Sequence, residues 1–310
     1  MHIALLGSTG HVAKAIMGYL RKHVDLTHVA RNPSGVIAHL EATGGGHLER
    51  QRTVTFERFA DDPTRFDAII NCVGFGVPDK VAVAGLEVYR LTEKMDELCL
   101  NLLVRNPSTI YVNFSSGAVY GTSHAGPIGP DATFSMDLNQ SRDSDHYRLA
   151  KLCSERKHRC QKNAHIVDIR LFSFFSEFID LTSSYLICDI VRSIRDNMPL
   201  ITGNGDIIRD YIHPSDLSDL ILKIVGIPGK NIAVDAFSCL PFSKLALLEK
   251  VTEKFGLKVT MATGDIHQSP TGIKNYYFSN NFSATTEFGY QPKWNSQDAI
   301  IEGIKLCLKK

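Results

Sequence analysis

The chain has 310 residues, 44% of them hydrophobic, and a formal net charge of +1, enough apolar material for a large core in one composite domain or two intimate ones. A near-neutral chain without a long basic block argues against a nucleic-acid partner gripped through its phosphates and favours small-molecule chemistry. Met1 leads straight into an apolar strand pattern, no apolar run reaches about eighteen residues, and the seven cysteines (72, 99, 153, 160, 188, 239, 307) form no CxxC pair. A membrane span, export, a disulfide framework and a metal site are therefore not expected, and a cytoplasmic protein with reduced thiols is.

Taken in order, the first elements alternate between short apolar runs and helical patterns, which predicts an α/β fold with a doubly wound parallel sheet. The first strand, 3–6, runs into Gly7-Ser8-Thr9-Gly10-His11-Val12-Ala13 and then a helix near 11–22. Glycines between a strand and a helix let the backbone turn sharply and bring its amides against a pyrophosphate, with the helix N-terminus adding positive potential. Residues 7–12 are accordingly candidate cofactor ligands. The second strand, 26–30, ends at Arg31-Asn32 with no carboxylate at its tip. An acid there would bind the ribose 2′-hydroxyl, whereas Arg31 suits a 2′-phosphate, so NADP(H) is expected ahead of NAD(H).

Strands at 53–56 and 68–72 follow, the latter opening into Asn71-Cys72-Val73-Gly74-Phe-Gly76, small residues where a cofactor would cross the sheet. A helix over 84–105 presents Ala84, Leu86, Val88, Leu91, Met95, Leu98 and Leu102 on one face. The fifth strand, 110–114, leads to Ser115-Ser116-Gly117-Ala118-Val119-Tyr120-Gly121. The helix near 145–163 then carries Tyr147 and Lys151, four apart and so on one face, where the ammonium would favour the ionised phenol. In this reading Tyr147 exchanges a proton with the reacting oxygen, Ser116 hydrogen-bonds that oxygen, and Lys151 tunes Tyr147 and holds the nicotinamide ribose.

A sixth strand, 166–171, closes the regular alternation. Beyond Ser173 lie a helix near 184–196, a strand and turn at 200–206, the run Ile208-Arg209-Asp210-Tyr211-Ile212-His213-Pro214, a strand at 231–234 returning to the sheet, and helices near 243–255 and 296–308. The division expected is a cofactor-binding unit of 1–172 with a return of about 211–235, and a smaller α/β substrate lobe from 173–210 and 236–310. No Gly/Ser-rich or Pro-rich linker separates them, so a cleft is expected between them rather than a flexible hinge. His124, His146 and His213 and the pair Tyr276-Tyr277 also invite a functional reading, but packing and capping account for such residues as well.

These residues resemble an extended short-chain dehydrogenase/reductase of the nucleotide-sugar epimerase/dehydratase type: Gly7-x-x-Gly10-x-x-Ala13 resembles its glycine turn, Ser115 to Gly121 its serine segment, and Tyr147-x-x-x-Lys151 its active-site pair. The resemblance implies a Rossmann domain, a nucleotide-diphosphate sugar as substrate, a homodimer, and a diphosphate contact from Arg209. It also implies that Leu171 lies against the cofactor and that Phe172 and Ser173 face the substrate, with Ser173 standing where the family usually has an asparagine. Gly117 and Ala118 replace the Asp-Glu pair of the 4,6-dehydratases, which argues against elimination. The family's late arginine is not evident, and Lys274 stands as a point-charge substitute. The stretches around 167–176, 190–197 and 208–216 look most like dTDP-4-keto-6-deoxyhexose reductases. Reduction of a 4-keto-6-deoxy nucleotide sugar is thus the expected activity, with a 4-epimerase on tightly bound NAD and a non-enzymatic NADP-binding regulator as alternatives.

Overall fold

In a computed structural model, the described residues are 1–310 apart from 45–49, 122–125, 137–138, 140–142 and 263–274; His124 and Lys274 fall outside them. The chain runs β1 (His2–Leu6), α1 (His11–Leu20), β2 (Asp25–Val29), α2 (Pro33–Ala42), β3 (Gln51–Val54), α3 (Phe56–Ala60), β4 (Ala68–Asn71), α4 (Pro78–Ala84), α5 (Glu87–Arg105), β5 (Ile110–Ser116), α6 (Asp143–Arg159) and β6 (His165–Leu171). It continues through β7 (Ser173–Phe174), α7 (Leu186–Arg195), β8 (Leu200–Gly203), β9 (Ile208–Arg209), β10 (Tyr211–Ile212), α8 (Pro214–Val225), β11 (Asn231–Ala236), β12 (Phe242–Ser243), α9 (Lys244–Phe255), β13 (Val259–Ala262), β14 (Tyr276–Tyr277), α10 (Ser283–Phe288) and α11 (Ser296–Leu308).

Seven strands form one sheet in the order β11-β6-β5-β4-β1-β2-β3, and every neighbouring pair is parallel. The central strands β4 and β5 are buried along their whole length, as a sheet covered by helices on both faces requires. One face packs on Ile16, Leu20, Leu217, Ile221 and Phe288 from α1, α8 and α10; the other packs on Phe59, Cys99 and Leu102 from α3 and α5. A separate core joins Ile190, Leu247, Val251 and Ile304 of α7, α9 and α11 beneath the small strands of the second lobe. Among the described residues, no helix is long and apolar enough to cross a membrane.

The predicted helix over 84–105 is two helices. Gly85 takes φ +49, a conformation that favours glycine, and ends α4 before α5 begins. The break turns Leu86 outward, 58% exposed, while Val88, Met95 and Leu102 keep the buried face.

Candidate active site

The carboxyl ends of β1, β2, β4, β5 and β6 converge on one edge of the sheet, where open α/β folds take their ligands. At the end of β1, Gly7 has φ +77, and a Cβ there would meet Val73 Cγ2 at 3.1 Å and the Cys72 carbonyl carbon at 3.2 Å. The turn is closed by Gly10 N–H donating to the Gly7 carbonyl (2.8 Å) and Gly7 N–H donating to Val29 (2.9 Å). Ser8 serves the turn rather than the cleft: it is fully buried and its hydroxyl donates to the Leu5 carbonyl at 2.7 Å. Thr9 is exposed.

Gly10 caps α1 without a side chain, so the amides of the first turn, from His11 and Val12 onward, have no partner inside the helix. His11 packs its ring 5.1 Å from that of Phe174, burial holds its pKa down at about 4, and its buried Nε2 has no partner among the described residues. Arg31 and Asn32 are exposed just past β2; Asn32 accepts from the Ser34 hydroxyl at 2.8 Å and leads into α2. A glycine turn held tightly against the next loop, bare helix amides and a cationic side chain at the second strand tip fit a dinucleotide.

The loop after β4 is held from below. Asn71 accepts from Val73 N–H (3.0 Å) and donates to the Tyr111 hydroxyl (3.0 Å), and Tyr111 donates to Asp96 (3.1 Å). This fixes the Cys72-Val73-Gly74 backbone. Cys72 is partly buried, and burial pushes its thiol pKa up, so it is a packing group rather than a nucleophile. A Cβ on Gly74 would lie 3.5 Å from Lys151 Nζ, which brings the α6 lysine to the rim of this loop.

Lys151 Nζ donates to the Phe114 carbonyl at 2.7 Å. Its pKa is lowered by burial, against the pull of Asp168 and Asp96. Tyr147, one turn earlier, lies near Ser116 at the end of β5. Its pKa is raised, because burial outweighs the lowering effect of the Ser116 hydroxyl. The spacing predicted the reverse, a phenol depressed by Lys151. The reason lies in the fold, which turns the ammonium toward the Phe114 carbonyl and the Gly74 loop.

Ser116 is buried and accepts from Ala118 N–H at 3.1 Å. Tyr277 of the second lobe comes near it, close enough for Ser116 to pull the Tyr277 pKa down against the stronger effect of burial, a neighbour that no local pattern could have identified. Tyr277 packs its ring 5.2 Å from that of Phe172 and lies under the Arg209 guanidinium, 5.8 Å from its centroid. Arg209 and Tyr277 face each other across the β9–β14 pair. Arg209 is buried, and its Nη1 donates to the Ile208 carbonyl at 2.9 Å. Leu171 pairs with Ser116 across β5 and β6, Phe172 stacks on Tyr120 with centroids 6.2 Å apart, and Ser173 pairs with Tyr211. Thus Ser116, Tyr147, Lys151, Phe172 and Arg209 come together, while Arg31 and Asn32 stand at the far end of the cofactor path.

A buried network backs the serine segment. Ser115 donates to Glu155 (2.5 Å), Glu155 pairs with Arg170 (2.6 Å), Arg170 donates to the Tyr120 hydroxyl (2.6 Å), and that hydroxyl donates to Asp235 (3.0 Å). His213, by contrast, is structural: it caps α8 through Ser215 N–H (3.2 Å) and stacks on Trp294 with centroids 4.2 Å apart. His146 packs beside Tyr89.

Residues 3–233 match the NAD dependent epimerase/dehydratase family. The chain belongs to that family. Among solved structures it resembles a UDP-glucose-4-epimerase from Stenotrophomonas maltophila, with bound NAD and formylated UDP-arabinopyranose, at 17% identity and TM-score 0.81 over 100% of this chain and 98% of the other. It also resembles a dTDP-glucose 4,6-dehydratase from Bacillus anthracis in complex with NAD, at 14% identity and TM-score 0.78 over 100% and 97%. A UDP-N-acetylglucosamine 4-epimerase from Methanobrevibacter ruminantium gives 14% identity and TM-score 0.81 over 99% and 98%. A sequence comparison with curated proteins finds no match. At such identities the family fold is shared; the chemistry rests on the site itself.

Proposed function

We propose that the protein reduces the 4-keto group of a nucleotide-diphosphate sugar, a 4-keto-6-deoxy sugar in the first instance and dTDP-linked by resemblance, with NADP(H) ahead of NAD(H). The observation that carries this reading is the meeting of Ser116, at the end of β5, with Tyr147 and with Lys151, whose Nζ donates to the Phe114 carbonyl at 2.7 Å, on the side of the Arg209 strand. A nicotinamide cofactor, when bound there, would supply the hydride. Tyr147, holding its proton because burial raises its pKa, delivers that proton to the oxygen as the ketone becomes an alcohol. Ser116 donates a hydrogen bond to the same oxygen. Lys151 stands by the Gly74 loop, where it can hold the ribose, and Arg209 offers a cation to the diphosphate.

Gly117 supports reduction over dehydration. A Cβ at that position would lie 2.5 Å from the Phe172 ring, so the space for an eliminating acid is filled. Exposed Arg31, with no acid at the strand tip, supports NADP(H). The cofactor unit in this reading is 1–172 with a return of about 211–235, and the lobe is 173–210 and 236–310, of which α10 packs against the cofactor unit. Exposed Val83 on α4, Leu86 between α4 and α5, and Val104 on α5 support a homodimer through this part of the surface.

The test is NADPH and NADH oxidation with dTDP-4-keto-6-deoxyglucose and its UDP, GDP and CDP counterparts. Turnover of any supports the reading, and none with all four removes it. A 4-epimerase is the second reading, supported by the 4-epimerases among the similar structures. It is recognised by NAD retained through purification and by interconversion of 4-hydroxyl epimers without added cofactor.

A further inference from the structure

Helix α6 carries Tyr147, Lys151 and Glu155 at successive four-residue spacings, which keeps them on one side of the helix. Two of them are tied to neighbouring residues of β5. Lys151 Nζ donates to the Phe114 carbonyl at 2.7 Å, and Glu155 Oε1 accepts from the Ser115 hydroxyl at 2.5 Å. Glu155 is buried and has no part in the proton transfer.

The same carboxylate is one half of an ion pair that reaches further. The Arg170 guanidinium grips it with two nitrogens, Nε at 3.0 Å from Oε1 and Nη2 at 2.6 Å from Oε2, and sends the third, Nη1, to the Tyr120 hydroxyl at 2.6 Å. That hydroxyl donates in turn to Asp235 of β11 at 3.0 Å. Ser115 and Tyr120 bracket the short segment that carries Ser116. A forked guanidinium can hold a carboxylate with one edge and a phenol with the other, whereas an ammonium is a point charge.

A buried ion pair is a weak source of stability, because the desolvation of both charges offsets their attraction. What it supplies is direction, since a fully satisfied polar network rigidifies one arrangement. Position is what a proton donor needs: productive geometry is held to within about 0.5 Å.

We propose that Glu155 is a positioning residue of the active site: held by Arg170, it fastens the Ser115 end of the serine segment to the helix that carries Tyr147 and Lys151, while the same guanidinium fastens the Tyr120 end, so that Ser116 and Tyr147 keep a fixed separation. The inference rests on reading Ser116 and Tyr147 as the groups that handle the proton.

Ser115→Ala and Tyr120→Phe each cut one end and leave the Glu155–Arg170 pair whole. With the ketosugar that the wild type accepts, each is expected to lower kcat about tenfold, the effect of a shift of about 0.5 Å when a full 1 Å costs on the order of 100-fold. KM and the NADPH dissociation constant are expected to stay within about twofold, since neither Arg209 nor the glycine turn is touched. Arg170→Lys keeps the charge but cannot hold both ends, and is expected to lose as much as Tyr120→Phe. Wild-type kcat in either Ser115→Ala or Tyr120→Phe, or a loss of cofactor affinity as large as the loss of kcat, overturns the proposal.

A second measurement needs no turnover. Crystal structures of the wild type and Ser115→Ala, superposed on β5, are expected to show the Tyr147 hydroxyl moved by about 0.5 Å relative to Ser116 Oγ; an unmoved pair overturns the proposal. If Ser116→Ala and Tyr147→Phe both leave kcat intact, the reading of the active pair fails, and the crystal structures still judge whether Glu155 sets their separation.

Discussion

The ring of Phe172 occupies the space that a side chain at position 117 would need: three of its atoms lie 2.5, 2.6 and 2.9 Å from where a Cβ on Gly117 would stand. Phe172 is itself wedged between Tyr120 and Tyr277, so it has little room to give way. The two positions act as one unit, a glycine on the serine segment and an aromatic ring after β6.

Gly117→Ala is therefore expected to destabilise the protein by about 1–3 kcal/mol, the usual cost of overpacking a filled core, seen as a fall of several degrees in melting temperature. Combining it with Phe172→Leu is expected to recover part of that loss. If Gly117→Ala melts with the wild type, the ring yields easily and the argument against an acid at 117 loses its force.

Arg31 stands exposed at the tip of the second strand. Arg31→Ala is expected to weaken NADPH binding by about 10–100-fold, the loss of a charge-assisted contact to phosphate, while NADH changes by less than about threefold. Titration calorimetry with the two cofactors compares them directly, and equal losses would refute the assignment.

Tyr147 is expected to be indispensable and to titrate late. Tyr147→Phe should lower kcat by about 10²–10⁴-fold, the range for a general acid, with cofactor affinity unchanged. Reduction requires the protonated phenol. Because burial raises the pKa above the ordinary value of 10.0, the kcat profile should show no basic limb from Tyr147 below that pH. A limb between pH 7 and 9 that vanishes with Lys151→Met would show that the lysine governs the phenol during turnover after all.

His158 makes folding itself pH-dependent. It is completely buried, with Nε2 2.6 Å from Asp96 and Nδ1 2.9 Å from Asp168. Burial opposes its charge, but the hydrogen bonds to Asp168 and Asp96 outweigh burial and raise its pKa to about 9 from 6.5. A pKa raised in the folded state contributes stability that is complete below 6.5 and is lost as pH rises through about 9. The contribution is about 3 kcal/mol at most. Denaturant unfolding at pH 6 and pH 9.5 should show this loss in the wild type and a smaller one in His158→Gln. A wild-type stability flat across that window would mean that the histidine is neutral throughout.

The alternation of strands and helices, the glycine turn at Gly7 and Gly10, and the placing of Ser116, Tyr147 and Lys151 at one edge of the sheet were all legible in the sequence. Hydrophobic period, glycine and four-residue helical spacing are local signals, and a parallel sheet with right-handed connections brings the ends of β1, β4 and β5 together by rule. The break at Gly85 was missed because an apolar period runs through it unchanged.

What only the tertiary structure decided is the company each site residue keeps. Tyr277 reaches the Phe172 ring from a strand of the second lobe, Phe172 fills the place of a side chain at 117, and His158 sits between acids from α5 and β6. The direction of the Tyr147 pKa belongs with these: the sequence put Lys151 on its face of the helix, and the fold turned that ammonium to the Phe114 carbonyl and buried the phenol. Such contacts join segments distant along the chain, and burial, which sets the pKa values, comes into being only when those segments pack.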